Sequence, residues 1–153
     1  MKKAFTLLEI IFVIILISII SLIAVPKLFF NITNASYTKA KSDIALIRNA
    51  IVYNKNQNII SGKGEAYIKN LDEAKVNVAY EKLFIGKEDN VILQYPVIST
   101  SGKKKEVGKW IKTSNSTYTV FIDNDISVEF SYDSTNGTFD CDYEEEFCME
   151  LSK

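Results

Sequence analysis

The chain contains no histidine. That excludes every mechanism built on an imidazole base, nucleophile or metal ligand. Cysteine occurs only twice, as Cys141 and Cys148, too few for a cysteine-rich zinc site. Proline is equally scarce, which makes Pro26 and Pro96 the only proline breaks in 153 residues. A net charge of −1 gives no whole-chain signal for nucleic acid. The charge is nevertheless uneven. Residues 123–153 hold ten acids against the single Lys153, a net of −9, so residues 1–122 are net +8. Hydropathy is uneven too. Residues 1–30 are almost wholly apolar, whereas the remainder has the composition of an ordinary globular domain.

The apolar segment opens on a short basic start, Met1-Lys2-Lys3-Ala4. From Phe5 to Val25 only Thr6, Glu9, Ser18 and Ser21 interrupt it, and Pro26 and Lys27 close it. About 20 such residues are what a helix needs to cross the hydrocarbon core of a bilayer. No polar stripe recurs at helical spacing, so the segment suits lipid rather than a globular surface. Lys2 and Lys3 favour a cytoplasmic position for its start. A secretory signal peptide would have a shorter apolar core and a small-x-small cleavage site, which Ile23-Ala24-Val25-Pro26 does not supply. A plain membrane anchor explains length and flanks but not Glu9. A carboxylate at a helix centre costs roughly 2.5–3.5 kcal/mol on insertion scales, less near the membrane surface. An acid in such a segment calls for a partner.

The run Lys3-Ala4-Phe5-Thr6-Leu7-Leu8-Glu9 resembles the processing signal of type IV pilins and of the pseudopilins of type II secretion systems. That resemblance implies cleavage between Ala4 and Phe5 by a membrane peptidase, followed by N-methylation of Phe5. It makes Glu9 the fifth residue of the mature chain, where the family has its glutamate, and places Pro26 where many members have a helix-kinking proline. Ala4 departs from the family, most of whose members have glycine before the cut. The implied assembly contact joins the Glu9 carboxylate of one subunit to the Phe5 ammonium of its neighbour, a pairing that relieves a buried charge. The implied domains are a leader over 1–4, a membrane and filament-core helix over 5–26, an amphipathic continuation over 27–62 and a globular head over 63–153. The implied partners are other pilin subunits, the prepilin peptidase, an inner-membrane assembly platform and lipid. The implied location is the bacterial inner membrane, with a single pass and a periplasmic head.

After Pro26, Tyr37, Ala40, Ile44, Ile47 and Ile51 recur at spacings of three and four. They predict an amphipathic helix whose stripe packs on a sheet, with Lys41, Asp43, Arg48 and Lys55 largely off it. A helix from Thr6 to about Asn58 would span roughly 80 Å, and Pro26 is expected to bend it. Gly62 and Gly64 supply a stop. Residues 65–90 read as a connection, with Tyr67–Lys75 and Val78–Phe84 as candidate short helices. The period then falls to two. Strands are expected over Val91–Ile98, Trp110–Thr113, Ser116–Asp123 and Ile126–Asp133, with turns at Asn124-Asp125 and Asn136-Gly137. The expected fold is therefore α+β: a long N-terminal helix, its first half membrane-spanning, packed on a small antiparallel sheet in the pilin manner.

Cys141 and Cys148 lie seven apart in the acidic C-terminal region. Many type IV pilins have a disulfide-bounded loop there, and this pair resembles it; two free thiols are the alternative. Lys103, Lys104, Lys105 and Lys109, with Lys112, cluster around Trp110 as a candidate DNA contact, since lysines meet phosphates and an aromatic face can stack a base. A solvated hairpin loop with Trp110 in the core is favoured over it. Asp133, Asn136, Asp140 and Asp142 offer oxygens to a hard cation such as calcium. Their spacing matches no calcium loop, and a plain acidic surface is favoured; no other cofactor is expected. The resemblance implies a filament subunit, the substrate of an enzyme rather than an enzyme, and no paired catalytic constellation is visible. Type II secretion is the first assignment, and a type IV or competence pilin for DNA uptake or adhesion the alternative. A membrane-anchored periplasmic enzyme is the remaining class.

Overall fold

The computed structural model describes residues 6–63, 67–87 and 90–152. The chain divides into two compact units, Met1–Asn34 and Ala35–Lys153. One helix, α1 (Leu7–Ile60), runs through both. The helix continues through Pro26, which itself contributes no backbone donor. The Thr6 carbonyl and hydroxyl both accept from the Glu9 N–H, at 3.1 and 3.3 Å, and so cap the helix start.

Between Leu7 and Ile23 the large apolar side chains are exposed. In the second unit, Ala40, Ile44, Ile47 and Ile51 are buried, as their spacing predicts. Asn54 and Asn58 extend the buried stripe. The Asn54 amide donates to the Val91 carbonyl at 2.9 Å, so a polar residue is satisfied there. The C-terminus is closed by Gly62 at φ +69°. Its N–H bonds to the Ile59 carbonyl and that of Lys63 to the Asn58 carbonyl, the paired bonds of a glycine-capped helix end.

Four strands form an antiparallel meander: β5 (Trp110–Lys112), β6 (Thr117–Phe121), β7 (Ser127–Asp133) and β8 (Thr138–Cys141), in that spatial order. Strand β7 alternates strictly, with Val128, Phe130 and Tyr132 inward and Ser127, Glu129, Ser131 and Asp133 outward. Preceding them are two small pairs, β1 (Lys82–Leu83) with β4 (Val97–Ile98) and β2 (Gly86–Lys87) with β3 (Asn90–Val91). A C-terminal helix, α2 (Glu146–Ser152), ends the chain. The long helix and antiparallel sheet are the expected α+β layout.

The differences have local causes. The expected strand Val91–Ile98 is paired only at its two ends, because Pro96 lacks a ladder donor and the Leu93 N–H turns away to the Phe84 carbonyl. The candidate helices at 67–75 and 78–84 do not form. Tyr80 and Phe84, both within the second, adopt positive φ, which a helix does not allow. Neither β8 nor α2 was expected from sequence periodicity. The Asn136-Gly137 turn joins β7 to β8 as expected, and Gly137 sits at φ +73°. A Cβ there would meet the Tyr67 ring at 2.0 Å, so the position excludes a side chain as well as favouring glycine's backbone.

The core lies between the α1 stripe and the meander. Phe84, Trp110, Tyr118, Phe130 and Phe139 form its aromatic centre, with Phe84 edge-on to Trp110 at 5.5 Å and Phe130 stacked on Phe139 at 5.3 Å.

Candidate functional site

Ala4 and Phe5, the expected cleavage pair, lie outside the described residues. Glu9 is described. It stands exposed in the first turn of α1, flanked by Leu8, Ile11, Phe12 and Ile15 around a shallow apolar cleft. Its N–H completes the Thr6 cap. Thr6-Leu7-Leu8-Glu9 therefore has the spacing of a capping box, a signal present in the sequence but overlooked in the periodicity. An acid near a helix N-terminus also meets the positive end of the helix dipole.

The helix segment that carries Glu9 is almost wholly apolar. Leu7–Ala24 has a mean hydropathy of 3.0 and none of it is buried, so it is long and apolar enough to cross a membrane. Its two serines take care of their own hydroxyls. Ser18 Oγ donates to the Ile14 carbonyl at 2.7 Å and Ser21 Oγ to the Ile17 carbonyl at 2.8 Å. Donation to the preceding turn leaves no hydroxyl proton unmatched in a solvent without hydrogen bonds.

At the other end of the chain Cys141 and Cys148 form a disulfide with an S–S distance of 2.08 Å. The bridge ties α2 to the last residue of β8. Arg48 reinforces the same corner: it donates to the Phe139 carbonyl at 2.9 Å, to Ser152 Oγ at 3.3 Å and to the Asp140 carboxylate. A guanidinium is suited to this because it is planar and carries five donors. It also occupies a carbonyl of the edge strand β8.

Asp140 is thus engaged by Arg48 and by the Tyr143 hydroxyl at 3.0 Å. Asp133 accepts from Thr135, which holds its carboxyl below its ordinary value. Asn136 accepts from Thr138, and Asp142 from the Glu144 N–H. Asp133, Asn136 and Asp142 are thus occupied within their own turns, and Asp140 by Arg48 of α1 and by Tyr143. Among the described residues no group of three His, Cys, Asp or Glu side chains is placed to hold a metal ion.

The lysine cluster separates into two environments. Lys103, Lys104 and Lys105 are exposed and Lys109 is half-buried. Trp110 is fully buried, and its indole N–H donates to Asp43 at 3.0 Å, so it cannot stack on a base. Lys112 is also buried. It pairs with the buried Asp72 at 2.7 Å. The same carboxylate accepts from the Tyr118 hydroxyl, the Phe84 N–H and the Ala74 N–H, each at 3.0 Å. Burial first, and then the Asp72 charge, push the Tyr118 phenol well above its ordinary value. This buried cluster was not legible in the sequence, since 40 positions separate Asp72 from Lys112. Such a set fixes packing through satisfied hydrogen bonds.

Comparison with known protein families, with characterised proteins and with solved structures finds no match in any of the three.

Proposed function

We infer that the chain is a pilin-like filament subunit, made as a membrane-anchored precursor in a bacterial inner membrane. The observation that carries this reading is Glu9. It is a carboxylate in the first turn of a membrane-length helix whose other long side chains are uniformly apolar. The basic start and Phe5 precede it at the spacing of the pilin processing signal. A capping role alone accounts for an acid at the third helical position. It does not account for the leader, the phenylalanine and the apolar length occurring together.

In this reading the peptidase cuts before Phe5 and methylates the new amine, which remains positive. The amine then becomes the partner of Glu9 in a neighbouring subunit. The head projects into the periplasm, where the Cys141–Cys148 bridge is stable. The chain is the substrate of an enzyme rather than an enzyme, and its work is to extend a filament by addition at the membrane. Type II secretion remains the first assignment. DNA uptake loses its aromatic platform with Trp110 in the core. The test is intact and peptide mass spectrometry of the membrane-extracted protein. A chain beginning with N-methyl-Phe5 is expected. A chain beginning at Met1, or beyond Ala24, would overturn the processing step and with it the filament reading.

A further inference from the structure

The meander has two edge strands, and the chain loads them with opposite charge. The segment that leads into β5 holds Lys103, Lys104, Lys105 and Lys109 against one acid, Glu106. It lies along the outer side of that strand: the Thr100 N–H bonds to the Trp110 carbonyl, and a bridge between Ser101 and Lys104 closes the lysine turn. Glu106 pairs with Lys104 at 2.8 Å. Lys103 and Lys105 remain exposed, with no ion pair among the described residues.

The segment that follows β8 is the reverse. Residues 142–150 hold five carboxylates and no cation. The disulfide and Arg48 fasten this segment to β8. Arg48 neutralises Asp140 alone, while Asp142, Glu144, Glu145 and Glu150 stay exposed. Since β5 and β8 are the first and last strands of the sheet, the two segments flank opposite edges. Three strand spacings, about 14 Å, separate those edges. The two patches therefore flank different sides of one molecule rather than each other.

We propose that this charge division is a head-to-tail contact surface: the Lys103–Lys105 turn of one copy meets the Glu144–Glu145 turn of the next. The proposal rests on the filament reading and names where its heads touch. A patch that meets a different patch on its neighbour repeats without self-closure, and such heterologous contacts generate open filaments or rings. Opposed charge also sets register and suppresses edge-to-edge pairing of like with like.

The test uses the full chain in membranes, with two differently tagged copies co-expressed. Carbodiimide coupling of the parent, followed by peptide mapping, should join Lys103 or Lys105 of one copy to Glu144 or Glu145 of the other. Formaldehyde crosslinking between the tags then reads the variants. Reversing one edge, by Lys103→Glu with Lys105→Glu or by Glu144→Lys with Glu145→Lys, should lower the mixed-tag product by about tenfold. Reversing both edges in one chain should restore it to within about twofold. All four residues are exposed, and that rescue separates a lost contact from a lost fold. Mixed-tag product that maps elsewhere and ignores both reversals would overturn this contact while leaving the filament reading intact. Absence of any mixed-tag product from the parent would overturn both.

Discussion

The N-terminal half of α1 and the C-terminal head solve opposite problems with the same helix. Between Leu7 and Ile23 the large side chains are 44–81% exposed, and the segment has no core of its own. In the head, Ala40, Ile44, Ile47 and Ile51 are at most 1% exposed. The second is held by its own contacts: a packed aromatic centre, a buried ion pair, a disulfide and a guanidinium clamp. The first is a stretch of helix long and apolar enough to cross a membrane, with none of it buried. Polar groups follow the same division. In the apolar segment Ser18 and Ser21 bond backward within the helix, whereas in the head Asn54 and Asp72 bond across elements.

That contrast breaks most severely at Asp72. Asp72→Asn leaves Lys112 as a buried charge without its counter-ion, which typically costs 3–5 kcal/mol, so about that loss is expected. Denaturant unfolding of the detergent-solubilised full chain, followed by Trp110 fluorescence, measures it. A loss below about 1 kcal/mol, the scale of an exposed pair, would mean that water reaches the pair. Next comes the disulfide. Cys148→Ser should cost about 2–3 kcal/mol for so short a loop in the chain-entropy model, read by the same unfolding. Labelling of both thiols in unreduced parent protein would contradict the bridge itself.

Alkali sharpens the comparison further, because every tyrosine of the chain lies beyond Asn34, in the head. Burial first, and then the charge of Asp133, raise the Tyr132 phenol to about 12. The folded head therefore keeps a proton that the unfolded chain gives up near pH 10. That contribution is complete below about pH 10 and is lost as pH rises to about 12. Tyr118 shifts in the same direction. Tyr132→Phe should flatten the fall in stability across this window, measured by denaturant unfolding at a series of pH values. An unchanged slope would show that Tyr132 titrates normally. The smallest effect belongs to the apolar segment. Leu16→Ala should alter head unfolding by no more than about 0.5 kcal/mol, since Leu16 is an exposed residue of the other unit.

How much could be read in advance follows the same line. Tyr37 to Ile51 announced the helix stripe because their spacing repeats at short range. Likewise β7 announced itself through Ile126, Val128 and Phe130. Thr138–Cys141 has too few residues for a period to show, and α2 is shorter than two heptads; both depend on the disulfide and Arg48, which are tertiary. The Asp72 cluster was invisible for the same reason. Positive φ at Asn77, Tyr80 and Phe84 falls on residues other than glycine, so no glycine marks these turns in the sequence. At the candidate site Glu9 stood out because it breaks an apolar run. Trp110 was favoured as a core residue over a DNA contact, and it is buried; its Asp43 partner, 67 positions away, could not be read in advance.

The central claim is that Glu9 exists for a neighbouring subunit. Glu9→Val removes an acid from an apolar helix, so a simple anchor should insert at least as well and lose nothing. In a filament the same change leaves the neighbour's Phe5 ammonium unpaired in a low-dielectric surrounding, at about 3–5 kcal/mol. Assembly should then fall by about two to three decades. The measurement is the yield of sheared filaments, or of crosslinks between subunits in the membrane, normalised to the amount of inserted protein. A variant that is made and inserted but scarcely assembles is the expected result. Assembly of Glu9→Val at the parent's level would contradict the filament role assigned to Glu9.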